Sequence, residues 1–137
     1  MTSVLVDSNI FFDVMLGSDT AEWSAGKLVE LGGKRPLAVN PIIWSEIGAN
    51  FASPEALSRA LSGLVLEKLS LSFEVAFRAG QAYRAYRRAG GLRERTLPDF
   101  LVGAHAEVEG HALLTRDSRR YATYFPSLEI IAPETYP

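Results

Sequence analysis

The sequence has no cysteine, and only two histidines among its 137 residues. Without thiols there are no disulfides and no thiolate metal sites, a composition that suits a reducing cytosol. With His105 and His111 alone, a zinc centre or a nucleophile–histidine triad has little to build on. Long apolar runs are missing too. Asp7 breaks the first hydrophobic stretch almost at once, no basic-apolar-small leader precedes it, and no run approaches the ~18–20 residues of a bilayer span. The expectation is a soluble, cytoplasmic protein with no membrane role. Nor is there an excess of one charge. Fourteen basic and sixteen acidic residues give a formal net charge of −2, so no global basicity advertises a polyanion partner.

What is present is enough for one core: 47% of the residues are hydrophobic, and residues 1–137 read as a single domain. The charges are unevenly placed. Nine of the fourteen bases lie between Arg78 and Arg120, against five acids, whereas residues 1–77 hold five bases and nine acids. A near-neutral chain of this kind can still present one positive face.

Short apolar strands alternate with helical segments. Strands are expected at Val4–Val6, Leu37–Val39, Leu64–Leu69, Ala112–Thr115 and Leu128–Ile131. Helices are expected at Ile10–Leu16, Ala21–Leu31, Ile42–Phe51, after Ser53-Pro54, from Ser72 to about Ala89, at Leu97–Glu109, and as a short turn at Tyr121–Phe125. Asn40-Pro41 and Ser53-Pro54 pair a capping residue with proline at the first helical position. Gly32-Gly33 and Gly90-Gly91 are stop signals. The alternation predicts a three-layer α/β/α sandwich with a mainly parallel central sheet. In such sheets ligands gather beyond the carboxyl ends of the strands.

Three acids occupy that edge by sequence. Asp7 follows the first strand, Asp117 follows Ala112–Thr115, and Asp99 opens the helix after Thr96. Glu46 lies one position off the Ile43, Ile47, Phe51 stripe of its helix and could reach the same edge. Four carboxylates crowded together would raise one another's pKa unless a cation neutralised them. Mg²⁺ or Mn²⁺ meets that need through oxygen ligands and serves phosphodiester hydrolysis by activating water and stabilising charge on the entering and leaving oxygens. Each acid also has a plainer reading. Asp7-Ser8-Asn9 is a set of preferred helix caps, Thr96-Leu97-Pro98-Asp99 fits a capping box, Glu46 fits a solvated helix face and Asp117 a turn.

The blocks "VLVDSNIFFDVM", "NPIIWSEIGANF", "RTLPDFLVGAHAEVEGHALLTRD" and "YFPSLEIIAP" resemble PIN-domain proteins, in particular the VapC-type ribonuclease toxins, in order and spacing over essentially the whole chain. That resemblance implies a Mg²⁺- or Mn²⁺-dependent endoribonuclease whose acids are Asp7, Glu46, Asp99 and Asp117. Ser8 and Asn9 match the polar pair after the first acid, with serine where threonine is commoner, so a hydroxyl is retained. Thr115 and Arg116 match the pair before the last acid, where the threonine hydroxyl would orient ligands. The resemblance further implies a homodimer, and an antitoxin partner that places a segment, often arginine-bearing, at the acidic groove.

An RNA substrate gives the basic segment a use. Arg84, Arg87 and Arg88, with Arg78, have spacings that share a helix side, and Arg93 and Arg95 follow in the loop before Asp99. They would hold phosphates, and the interleaved Tyr83 and Tyr86 would stack on unpaired bases. The plainer reading is a solvated helix face, with Tyr83 in the core or a dimer contact and both histidines structural. Among other α/β enzymes, an Asp-x-Asp phosphatase fails at Asn9, and a receiver domain lacks its acid pair and late lysine. The competing non-enzymatic reading is a non-catalytic PIN-like module binding RNA or protein. Loss of one of the four acids would favour it, and none is lost.

Overall fold

The structure, a computed structural model, describes residues 2–91 and 95–137. Five strands, β1 (Val4–Val6), β2 (Leu37–Val39), β3 (Leu66–Lys68), β4 (Ala112–Leu114) and β5 (Ile130–Ile131), form one sheet in the order β3-β2-β1-β4-β5. Every pairing is parallel. Every residue of β1, β2 and β4 is buried, as expected for central strands covered on both faces, whereas β3 exposes Glu67 and Lys68 at the edge. No helix among the described residues is long and apolar enough to cross a membrane.

Among the described residues, seven helices connect the strands: α1 (Ser8–Leu16), α2 (Ala21–Gly32), α3 (Pro41–Gly48), α4 (Pro54–Ala60), α5 (Phe73–Arg88), α6 (Leu97–Glu109) and α7 (Arg119–Ala122). The crossovers β1→β2→β3 run one way along the sheet and β3→β4→β5 run the other. Right-handed crossovers therefore send the helices to opposite faces and complete the expected sandwich. The direction of winding reverses between β1 and β4, and in parallel sheets ligands bind beyond the carboxyl ends of the strands at such a reversal.

Several boundaries differ from the sequence expectation, each for a local reason. Helix α1 starts at Ser8 rather than Ile10, because Asp7 itself is the N-cap and its Oδ1 accepts the Ser8 amide at 2.8 Å. Helix α3 ends at Gly48, not Phe51, because the following amides of Asn50 and Phe51 fold back onto Ile47 and Gly48 in i→i−3 bonds. The last short helix begins at Arg119 rather than Tyr121, since the Asp117 carbonyl and carboxylate both accept the Arg120 amide at 3.3 Å. Phe125, just beyond, packs flat against α6 at Gly103. A Cβ at Gly103 would stand 2.6 Å from Phe125 Cδ2, so only glycine leaves room for that ring.

An aromatic cluster joins α5 and α6. Phe100 meets Tyr83 and Tyr86 with ring centroids 5.4 Å apart and Tyr124 at 5.8 Å. Tyr86 is only 7% exposed. It is therefore a core residue, not the base-stacking side chain that its place among arginines suggests. Tyr83 is half-buried against Phe100.

Candidate active site

Oxygen-bearing side chains meet at the carboxyl ends of β1 and β4. Asp7 leaves the end of β1 almost fully buried, at 3% exposure, and each of its carboxylate oxygens has its own duty. Oδ1 caps α1. Oδ2 accepts the Tyr121 hydroxyl at 2.7 Å and the Thr115 hydroxyl at 2.9 Å, with Asn9 Nδ2 at 3.5 Å. Asn9 ties the two strand ends together. Its Nδ2 donates to Thr115 Oγ1 at 3.1 Å and its Oδ1 accepts the Arg116 amide at 3.2 Å. Thr115 Oγ1 in turn accepts the Asp117 amide at 3.1 Å. One short network thus positions both strand-end acids.

Burial pushes the Asp7 carboxyl above its ordinary pKa, and the hydrogen bonds from Tyr121, Thr115 and Ser8 only partly offset it. Glu46 is also raised. Half-burial on α3 is the main cause, followed by the like charges of Asp7 and Asp99, while the Ser8 hydroxyl and Arg120 oppose the shift. Asp7, Glu46 and Asp99 therefore lie within electrostatic reach of one another, although they are separated by up to 92 positions in sequence.

Asp99 divides its labour as Asp7 does. Its Oδ2 accepts the Thr96 amide at 3.2 Å, as a capping-box acid should, while Oδ1 faces Arg120 Nη1 at 3.5 Å. Cap and site residue are not alternatives here, because a carboxylate has two oxygens. Asp117 places Oδ2 at 3.4 Å from Arg120 Nε.

Two neighbours of these acids were not legible beforehand. Tyr121 is 1% exposed and its phenol is driven well above its ordinary pKa by burial and by Asp7, so it remains a neutral donor. Arg120 lies among the acids. Burial works against its charge, but Asp99, Tyr121, Asp117 and Asp7 outweigh that and keep it protonated. The only hint in the sequence is that both follow Asp117 within one helical turn.

The expected supporting and basic residues divide. The Ser8 hydroxyl opposes the rise in the Glu46 pKa, and Thr115 and Asn9 form the network above. Arg116 sends its backbone to that network, but its guanidinium turns to Asp13, with Nε 3.0 Å from Oδ1. Arg84, Arg87 and Arg88 are exposed on α5. Arg78 is not with them, since it pairs with Glu107 at 2.9 Å and bonds the Tyr124 carbonyl at 2.7 Å. Arg95 donates to the Arg119 carbonyl at 3.1 Å. Arg93 lies outside the described residues. The histidines are built into the scaffold. His105 Nδ1 meets Asn40 Nδ2 at 2.9 Å, and His111 Nδ1 accepts the Ser3 amide at 3.0 Å.

A PIN domain family profile matches residues 4–126. The chain belongs to the PIN domain family. Members of this family are generally nucleases, and these usually use divalent metal ions. No curated protein sequence matches significantly. Among solved structures, the PIN domain described here is similar to VapBC2 from Rickettsia felis bound to a promoter DNA fragment, with a TM-score of 0.73 and 18% identity over 96% of this chain and 98% of that one. VapBC-1 from nontypeable Haemophilus influenzae gives 0.72 and 16%, with the same coverages. A toxin–antitoxin complex from Klebsiella pneumoniae gives 0.67 and 22%, again over 96% and 98%. At these identities the likeness is one of fold.

The donor set of this PIN domain fits a hard divalent cation in kind: carboxylates, hydroxyls and an amide oxygen, with no sulfur. In spacing it is not closed around one. Among the described residues, no group of three acids or histidines stands close enough together to hold a metal ion, and the shared counter-charge is Arg120.

Proposed function

We propose that this chain is a VapC-type toxin, a Mg²⁺- or Mn²⁺-dependent endoribonuclease that hydrolyses RNA phosphodiester bonds and is held in check by a cognate antitoxin. The observation that carries the reading is the convergence of Asp7, Glu46 and Asp99, with Asp117 joined through Arg120, at the switch point of a PIN fold. Solved relatives of the same fold are toxin–antitoxin complexes, which supports the partner.

Asp7, Glu46, Asp99 and Asp117 are the residues that would hold the cation, with Ser8, Asn9 and Thr115 fixing their orientation. When bound, a divalent cation supplies Lewis acidity for water activation and for charge on the leaving oxygen. The chain does the rest. Tyr121 and Thr115 hold Asp7 Oδ2 in place, the capping bonds keep Asp7 and Asp99 from rotating away, and Glu46 carries a raised pKa that suits transient proton acceptance. Exposed Arg84, Arg87 and Arg88 are suited to phosphate contacts that position RNA without reading its sequence. A homodimer would bring two such faces together.

Purified protein should cut RNA with Mg²⁺ or Mn²⁺ and stop with chelator. Asp7→Asn and Asp99→Asn should each reduce the rate by at least about a hundredfold, in line with loss of an oriented charged group. Cleavage by both variants at the parent's rate would refute the assignment.

A further inference from the structure

Arg120 joins the acids, but the nuclease reading gives it no role of its own. Its Nη1 lies 3.5 Å from Asp99 Oδ1 and its Nε 3.4 Å from Asp117 Oδ2, and its charge also acts on Asp7 and Glu46. One planar guanidinium therefore serves carboxylates arriving from α6, from the turn after β4, from β1 and from α3. Its rigid planar fork presents separate N–H groups, Nη1 and Nε, to the two acids. The side chain is 37% exposed, so it reaches in from the rim and has solvent to leave into.

We propose that Arg120 is a built-in counter-ion that occupies the acid cluster in the metal-free protein and competes with a divalent cation for it. This rests on the metal-site reading above. Without a cation, four nearby acids repel one another, and Arg120 relieves that repulsion. With a cation bound, the same guanidinium becomes a like charge beside it and must withdraw toward solvent. Arg120 thus lowers the metal affinity of the resting protein and makes filling of the site depend on local metal concentration. The absence of a closed trio of ligands among the described residues follows naturally, because Asp99 and Asp117 are turned to the guanidinium.

Calorimetric titration of Mn²⁺ into the full-length protein, without RNA, tests this. Arg120→Gln and Arg120→Ala should bind Mn²⁺ about tenfold more tightly than the parent, the scale of removing one unit of like charge a few ångströms from a divalent ion in a solvated site. In chelator, both variants should melt below the parent, and saturating Mn²⁺ should narrow the gap. A purely structural arginine would lower the melting temperature equally in both conditions. Unchanged or weaker Mn²⁺ binding by the two variants, with a parent that binds, overturns the Arg120 proposal alone. If no form binds Mn²⁺, or if Asp99→Asn leaves the parent's binding intact, the metal-site reading falls and takes this proposal with it.

Discussion

The Tyr121 hydroxyl donates to Asp7 Oδ2 across 2.7 Å, between two side chains that are 1% and 3% exposed and 114 positions apart. Among the hydrogen bonds that favour ionised Asp7, this one contributes most. Such a bond matters when its acceptor is charged and little when it is not.

Tyr121→Phe should therefore cost about 1–3 kcal/mol, as expected when a donor is removed from a buried charged acceptor. The loss should shrink as pH is lowered through the raised pKa of Asp7, because protonation removes the charged acceptor. Urea unfolding in chelator across that pH range measures this. Equal losses would mean that the tyrosine acts through packing alone.

Asp13 is a second buried acid, remote from the catalytic proposal and 1% exposed. Its carboxylate accepts hydroxyls from Ser18 at 2.7 Å, Thr20 at 2.7 Å and Ser24 at 2.6 Å, and faces Arg116 Nε at 3.0 Å. Burial raises its pKa, but these donors and then Arg116 outweigh that, so the net shift is downward. Asp13→Ala strands three donors and should cost about 2–4 kcal/mol. Arg116→Ala should cost only about 0.5–1 kcal/mol, because that side chain is 39% exposed and its ion pair is screened. Chemical denaturation of both variants decides it, and similar losses would shift the weight from the hydroxyl cluster to the ion pair.

The two histidines predict acid sensitivity. Both have pKa values held below the ordinary 6.5, chiefly by burial, and their ring contacts are His105 Nδ1 with Asn40 Nδ2 and His111 Nδ1 with the Ser3 amide. Between each folded-state pKa and 6.5 the unfolded chain binds more protons than the native one. Stability from this source is complete above about pH 6.5 and falls as pH drops toward the folded-state values. Asp7 and Glu46, with raised pKa values, act in the opposite sense and lose stability as pH rises through their window. Subtracting the profile of His105→Gln from that of the parent isolates the histidine. The parent should lose the more stability below pH 6.5, and parallel profiles would show that His105 does not titrate differently on folding.

The sequence by itself determined the alternation of strands and helices, the caps at Asn40, Ser53 and Ser72, and the placing of acids at strand and helix ends. Those features follow from local periodicity and from side chains bonding their own backbone within a turn, so they are readable from neighbours in the chain. The blocks that resemble PIN domains carried the expected four acids. Tertiary structure alone decided which oxygen of Asp7 and Asp99 caps a helix and which faces Tyr121 or Arg120. It also turned Arg116 toward Asp13 and Arg78 toward Glu107, buried Tyr86 against Phe100, and placed Tyr121 and Arg120 among the acids. The packing of α5 against α6 sets the contacts of Arg78 and Tyr86, whereas those of Asp7 with Tyr121 and of Arg116 with Asp13 depend on a parallel sheet whose winding reverses between β1 and β4. Contact across that reversal joins residues about a hundred positions apart, and no local pattern encodes which long side chain will fill the space between them.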